Sequence, residues 1–335
     1  MRILAILTAL CAAALAAEQG FEQLLAGADK SGNYKIKADY YKRALESWKD
    51  GRDSKSRKAV AHERLAVCYL ALGRAGEAQN QMNFALALDS ASAGAHITMS
   101  QVLLMQGNCA GALKETDAAL ALAPSSQRAA LYFRRGAVNS NCARNDPAAL
   151  DDLASAVAVA RQTGQNGAAR KSLIRSGAIK CRRGDFAQGE ADLAGARRIP
   201  QSGPREDMLE LGKCRQRQRK NDKALEDYSA FIASAGKAHP RLAEARCRRG
   251  EIRLEAGDTA RALDDFSAGL RAAIKAEAAP KPPLEDADSA YDMALCHRLR
   301  ARIYERRGDR LFARQDYEEA CRLGSARDCK KAGKR

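Results

Sequence analysis

Six positions return along this chain at one fixed offset. Leu65, Tyr69, Gly73, Ala78, Met82 and Ala85 recur as Met99, Leu103, Gly107, Ala112, Thr116 and Ala119, each 34 residues later. A constant period of this size marks an array of small stacked units, none of which can bury its apolar face alone. The 335 residues would otherwise suggest two domains. An array lengthens by adding units, so no single core sets its size. Proline is sparse, at 8, and aromatic residues make up only 5% of the chain. No long stretch alternates polar with apolar residues, and the chain reads as nearly all helical.

Each unit reads as two antiparallel helices. Gly73 ends the first helix, where a left-handed residue is favoured. Ala66 and Ala78 sit where the helices cross, because only small side chains fit there. Tyr69 fills the space beside them. This set, Leu65-Ala66, Tyr69, Gly73, Ala78 and Ala85, resembles the tetratricopeptide repeat family. The resemblance implies an all-α, right-handed solenoid of about eight helix pairs with a short C-terminal capping helix. It also implies binding of an extended or helical peptide on the concave face.

Units are expected at 18–58 (degenerate), 59–92, 93–126, 129–162, 170–203, 205–238, 243–277 and 294–325. A proline-rich loop covers 278–293, and a capping helix with a tail covers 326–335. Pro124 stops the second helix of the third unit. Gly189 stands where Ala is usual and should weaken its helix slightly. The sixth unit lacks Gly at its turn.

Residues 1–16 have the layout of a secretory signal peptide: Arg2, an apolar run from Ile3 to Leu15 broken by Thr8, and a small-x-small site at Ala14-Leu15-Ala16. The run is too short to span a bilayer. Cys11, preceded by Leu10, lacks the small neighbour that lipidation prefers. Export to a bacterial periplasm or beyond is the expectation. Any membrane association is expected to run through a partner.

The net charge of +16 is large, and residues 170–220 hold 14 Lys/Arg against 6 Asp/Glu. Such an excess attracts acidic surfaces and polyanions. Part of it is expected to be structural. Arg135 with Asp152, Arg249 with Asp265 and Arg300 with Asp316 should face one another across their helix pairs, as half-buried ion pairs that hold register. Other residues have no such partner within their units and would line the concave face: Arg134, Arg175, Arg182, Lys213, Gln216, Arg217, Arg298, Arg302 and Arg306. The first three units present Val67, Leu70, Ile97, Gln101, Leu104 and Met105 there instead. These form either a surface for an amphipathic helix or part of the core.

Of ten cysteines, Cys11 lies in the leader and nine remain, an odd number. Cys321 and Cys329 resemble the disulfide link of Sel1-like repeats, which would fasten the capping helix. Cys109 and Cys142 both fall near turns of neighbouring units and are within reach of pairing. Cys181, Cys214 and Cys247 recur at 33 residues, one short of the period, and drift around the helix. They read as small buried residues. Cys68 and Cys296 are left without an assigned partner.

No Cys-x-x-Cys or His-x-x-x-His appears, so no metal or other cofactor is implied. His62, His96 and His297 share one place in their units, which points to packing. Nucleophile-elbow, phosphate-loop and zinc-protease motifs are absent. Asp151-Asp152 and Asp264-Asp265 recur at one repeat position, so they belong to the architecture.

The expected function is a non-catalytic scaffold in the cell envelope, binding an acidic or extended segment of a protein partner through a partly basic face. No small-molecule substrate is implied. Polyanion binding (nucleic acid, anionic glycan, lipid headgroup) is the alternative, though aromatics are not interleaved with the basic residues, which serves base stacking poorly. A structural subunit of an envelope complex, self-associating through Trp48, Phe186 and Phe231, is the other alternative.

Overall fold

The computed structural model describes residues 20–49, 54–201, 203–237, 239–277 and 293–333. The leader expected at 1–16 and the proline-rich loop, apart from Met293, lie outside the described residues. Among the described residues there are 17 helices and no strand.

The chain divides into two compact units, the first ending at Asn145 and the second starting at Asp146. Unit one holds α1 (Phe21–Lys30), α2 (Tyr34–Ser47), α3 (Lys55–Ala71), α4 (Ala75–Leu88), α5 (Ala93–Met105), α6 (Cys109–Leu122) and α7 (Ser125–Asn141). Unit two begins with α8 (Asp146–Gln162), α9 (Asn166–Arg183), α10 (Phe186–Arg197), α11 (Glu206–Arg217) and α12 (Asn221–Ser234). It continues with α13 (Leu242–Glu255), α14 (Thr259–Glu277), α15 (Met293–Arg307), α16 (Arg310–Arg322) and α17 (Ala326–Lys331). Within each unit every helix packs on the next, and successive first helices also touch: α3 with α5, α9 with α11, α13 with α15. The result is a stack of helix hairpins.

Size matching between residues 16 apart closes each hairpin. Ala66 on α3 opposes Met82 on α4, and Ser100 on α5 hydrogen-bonds Thr116 on α6 at 2.9 Å. Gly250 opposes Phe266: a methyl on Gly250 would lie 2.8 Å from the ring. Met82, Thr116 and Phe266 are fully buried. A small residue on the first helix therefore admits a large one from the second, at the close approach that crossing helices require. Burying a ring the size of Phe266 contributes about 2–3 kcal/mol.

Gly189 has a more specific role than the sequence suggests. It lies against Gly177, and a methyl on it would meet the Gly177 carbonyl at 2.9 Å and the Cys181 sulfur at 2.5 Å. The helices α9 and α10 meet there backbone to backbone, so any larger residue would push them apart.

The first helices α3, α5, α9, α11, α13 and α15 end on one hydrogen-bond pattern. The Arg74 N–H donates to the Tyr69 carbonyl at 2.8 Å, and the Lys220 N–H donates to the Arg215 carbonyl at 2.9 Å. This Schellman closure needs a left-handed residue. Gly73, at φ +75°, supplies it in the second hairpin; Arg219, at φ +59°, supplies it in the sixth, which lacks glycine.

Candidate partner-binding face

Two layers of ion pairs organise the first-helix face of unit two. Within hairpins, Arg249 donates to Asp265 at 2.7 and 2.9 Å, and Arg300 donates to Asp316 at 2.7 and 2.8 Å. Asp265 also accepts from Arg253 at 2.8 Å, and Asp316 is joined by His297 at 2.7 Å. Both carboxylates are buried. The guanidinium and imidazole partners overcome burial and hold the Asp316 carboxyl below its usual range. Arg135 donates to Asp117 at 2.6 Å within unit one. Asp152, buried on α8, belongs to unit two.

The second layer ties successive first helices. Between α11 and α13, buried Glu210 meets Arg241, and Lys213 at 3.1 Å. Glu244 meets Arg241 at 3.1 Å, Arg248 at 3.0 Å and Lys213 at 3.4 Å. These cations hold both carboxyls below their usual range against the opposing effect of burial. Between α9 and α11, Arg170 pairs with buried Asp207, which Arg197 approaches at 3.5 Å.

Two residues expected as open cations are thereby corrected. Lys213 is part of the Glu210–Glu244 network and is only 12% exposed. Arg298 grips the buried Asp328 of α17 at 2.8 and 3.0 Å and donates to Ser325 at 2.6 Å, so it fastens the cap. Gln216 accepts from the Tyr228 hydroxyl at 2.7 Å and donates to Glu251 at 3.2 Å. Arg175 is buried, and Arg134, on α7 of unit one, is half-buried. Arg182 is partly exposed and donates to Asp146 at 2.7 Å.

Arg217, Arg302 and Arg306 remain exposed and make no ion pair among the described residues. Arg217 is the most distinctive. Partial burial and the Arg248 guanidinium pull its pKa below the ordinary arginine value, with a smaller contribution from Arg182 and against the opposing pull of the Glu210 carboxylate. Three cations from α9, α11 and α13 thus share one field.

In unit one, Val67 is 40% exposed, whereas Leu70 and Leu104 pack against the core. Ile97 also packs inward. Phe231 is fully buried and Phe186 packs on the apolar cluster of α9 and α11, so neither offers itself for self-association. Trp48 packs on the unit-one core, with the Lys58 ammonium 3.8 Å above its ring. His62 and His96 bond Gln81 at 2.8 Å and Glu115 at 2.6 Å, each 19 residues on.

Four cysteine pairs are bonded: Cys109–Cys142, Cys181–Cys214, Cys247–Cys296 and Cys321–Cys329. The reading of Cys181, Cys214 and Cys247 as unbridged is corrected. Gly177 and Gly212 occupy one repeat position 35 residues apart; Cys181 and Cys214 are 33 apart. Contact between neighbouring first helices shifts back by two residues, so the shorter spacing is the stagger of the stack. Cys247–Cys296 shows the same shift across Gly250 and Ala301, 49 residues against 51. Cys68 is free and buried, and burial pushes its thiol pKa up to about 11. Among the described residues no group of His, Cys, Asp or Glu is arranged to hold a metal. No described helix is long and apolar enough to cross a membrane.

The stack of hairpins is similar to several solved structures. A tetratricopeptide repeat protein from Parabacteroides merdae aligns with a TM-score of 0.58 at 16% identity, over 75% of this chain and 92% of that one. Yeast Tom70 aligns with a TM-score of 0.59 at 16% identity, over 89% of this chain and 58% of that one. PilW, described as a widely conserved type IV pilus biogenesis factor, aligns with a TM-score of 0.53 at 14% identity, over 66% and 97%. The fold is that of the tetratricopeptide repeat solenoids. No protein-family model and no curated protein matches the sequence.

Proposed function

We propose that this chain is an exported, non-catalytic scaffold whose first-helix face in unit two binds an acidic, extended segment of a protein partner. One observation carries the reading: Arg217 is exposed and without an ion pair among the described residues, although Arg182 and Arg248 already crowd it with positive charge. A partly desolvated guanidinium among like charges gains most from an incoming carboxylate. The fold agrees, since stacked hairpins create extended surfaces suited to peptides. Four disulfides agree with folding in an oxidising compartment. Arg241, Arg249, Arg298, Arg300 and Lys213 are paired with carboxylates of the chain itself, which leaves fewer cations on this face for a polyanion.

The test is photo-crosslinking in the native cell envelope, with Arg217 replaced by benzoylphenylalanine and Lys223, on the second helix α12, replaced as the control. Protein adducts at 217 that weaken with added salt and are missing at 223 are expected, because exposed charges are screened. Adducts equal at both positions, or only nucleic acid captured at 217, would overturn the reading.

A further inference from the structure

The seam between α13 and α15 differs from the others in the array. Its equivalent residues Gly250 and Ala301 are 51 apart in sequence, against 35 for Gly177 and Gly212. Cys247–Cys296 pins the two helices at one end, with Cα atoms 5.7 Å apart. Alongside the bridge the seam holds a cleft of about 400 Å³.

The floor of the cleft is aliphatic: Leu254 from α13, and Leu295, Leu299 and Ile303 from α15. Leu254, Leu299 and Ile303 belong to the same apolar cluster as both bridged cysteines, so the bridge and the floor form one rigid body. Arg302 and Arg306 stand on one wall, exposed and without an ion pair among the described residues. Glu251 and Glu255 stand on the other.

We propose that this cleft receives an extended segment of a partner protein, seating an aliphatic side chain on the leucine–isoleucine floor and an adjacent carboxylate on Arg302 and Arg306. The proposal rests on the scaffold reading above and names its binding site. Charge complementarity selects the occupant. A polyanion brings no aliphatic side chain and meets Glu251 and Glu255 as like charges. A peptide satisfies the floor and the basic wall together, and its backbone N–H groups can face the acidic wall. The disulfide ties the two helices that form the walls together in advance, which lowers the ordering cost of binding.

Fluorescence anisotropy on the full chain tests this, with a fluorescein-labelled peptide of alternating Leu and Asp as the probe. Its Leu–Asn counterpart and an oligothymidylate serve as competitors. Arg302→Glu/Arg306→Glu and, separately, Leu299→Ala are each expected to weaken the probe at least about tenfold. Lys223→Glu, exposed on the second helix α12 and outside the first-helix face, leaves it within about twofold, and circular dichroism checks that each variant keeps its helices. The Arg pair is exposed, so its variant reads binding even where Leu299→Ala loosens the fold. Loss of the probe in Arg217→Glu with full binding in the Arg302/Arg306 variant would overturn the cleft and leave the broader scaffold reading intact. Displacement by oligothymidylate, or equal binding of the Leu–Asn peptide, overturns it too. Absence of binding by the Leu–Asp probe sinks the cleft, while crosslinking from position 217 judges the scaffold independently.

Discussion

Arg219 holds a backbone conformation in which an L side chain is strained by about 1–2 kcal/mol. It holds it because the turn after α11 closes with the same hydrogen bonds as the glycine-containing turns, and the Lys220 N–H reaches the Arg215 carbonyl at 2.9 Å. Arg219→Gly should therefore stabilise the protein by about 0.5–1 kcal/mol after the extra freedom of glycine in the unfolded chain is subtracted. Urea denaturation reads this as a higher midpoint; an unchanged or lower midpoint contradicts the strain. Gly250→Ala should act in the opposite direction. Its new methyl would sit 2.8 Å from the Phe266 ring, inside a hairpin with no slack. A loss of about 1–3 kcal/mol is expected, as for other overpacked cores, and a thermal melt measures it. Serine at 250 fails for the same reason, so the site selects for the absence of a Cβ.

At the scale of helices, what holds α11 to α13 is charge. Glu210 and Glu244 are buried and kept ionised by Lys213, Arg241 and Arg248. Their folded-state pKa values lie below the ordinary glutamate value, so the folded chain binds fewer protons than the unfolded one under mild acid. The stability they contribute is present above about pH 4.5 and is lost as pH falls through their folded values. Asp227 works the other way: burial pushes it up to about 6, so its effect is to lower stability as pH rises from about 4 to 6. Glu210→Gln should cost about 3 kcal/mol at neutral pH, because it leaves two cations without their shared carboxylate. It should also flatten the acid limb, which urea midpoints at pH 7 and pH 3 will show; a variant with the wild-type acid slope would contradict this account. These pairs explain where sequence reading fell short. Within a hairpin, partners stand 16 residues apart, as in Arg249–Asp265, and that offset is legible in the repeat. Between hairpins they stand 31 residues apart in Arg241–Glu210 and 30 in Arg298–Asp328, and the offset changes with each loop. Arg298 therefore looked open in the sequence although its partner lies one hairpin away, and Lys213 has one such partner, Glu244, besides Glu210 on its own helix. The Cys181–Cys214 stagger was hidden for the same reason, because it depends on how neighbouring helices slide and not on the period of either.

For the molecule as a whole, the repeat period gave away the stack of hairpins because small–large pairs such as Ala66 and Met82 must recur wherever two helices cross at the same depth. The proposed binding face has no such recurrence: Arg217 and Arg306 are distinguished only by what surrounds them in space. The cysteines join the two scales, since one bridge lies in unit one and three lie in unit two. In the chain-entropy account a 33- or 49-residue loop contributes about 4 kcal/mol and the eight-residue loop about 2.5. A chain that forms all four in the cell must fold where thiols are oxidised. Among the described residues there are nine cysteines, of which Cys68 alone is unbridged; Cys11 would leave with the expected leader. Cys68 is buried and its thiol is pushed up to about 11, so the folded protein should take no iodoacetamide. In urea without reductant, intact-mass spectrometry should find one adduct; with reductant before alkylation, nine. Nine adducts without reductant, on protein taken directly from its native compartment, would mean that the bridges do not form there. Export would then lose its strongest support, because the remaining argument for it would rest on the first sixteen residues alone.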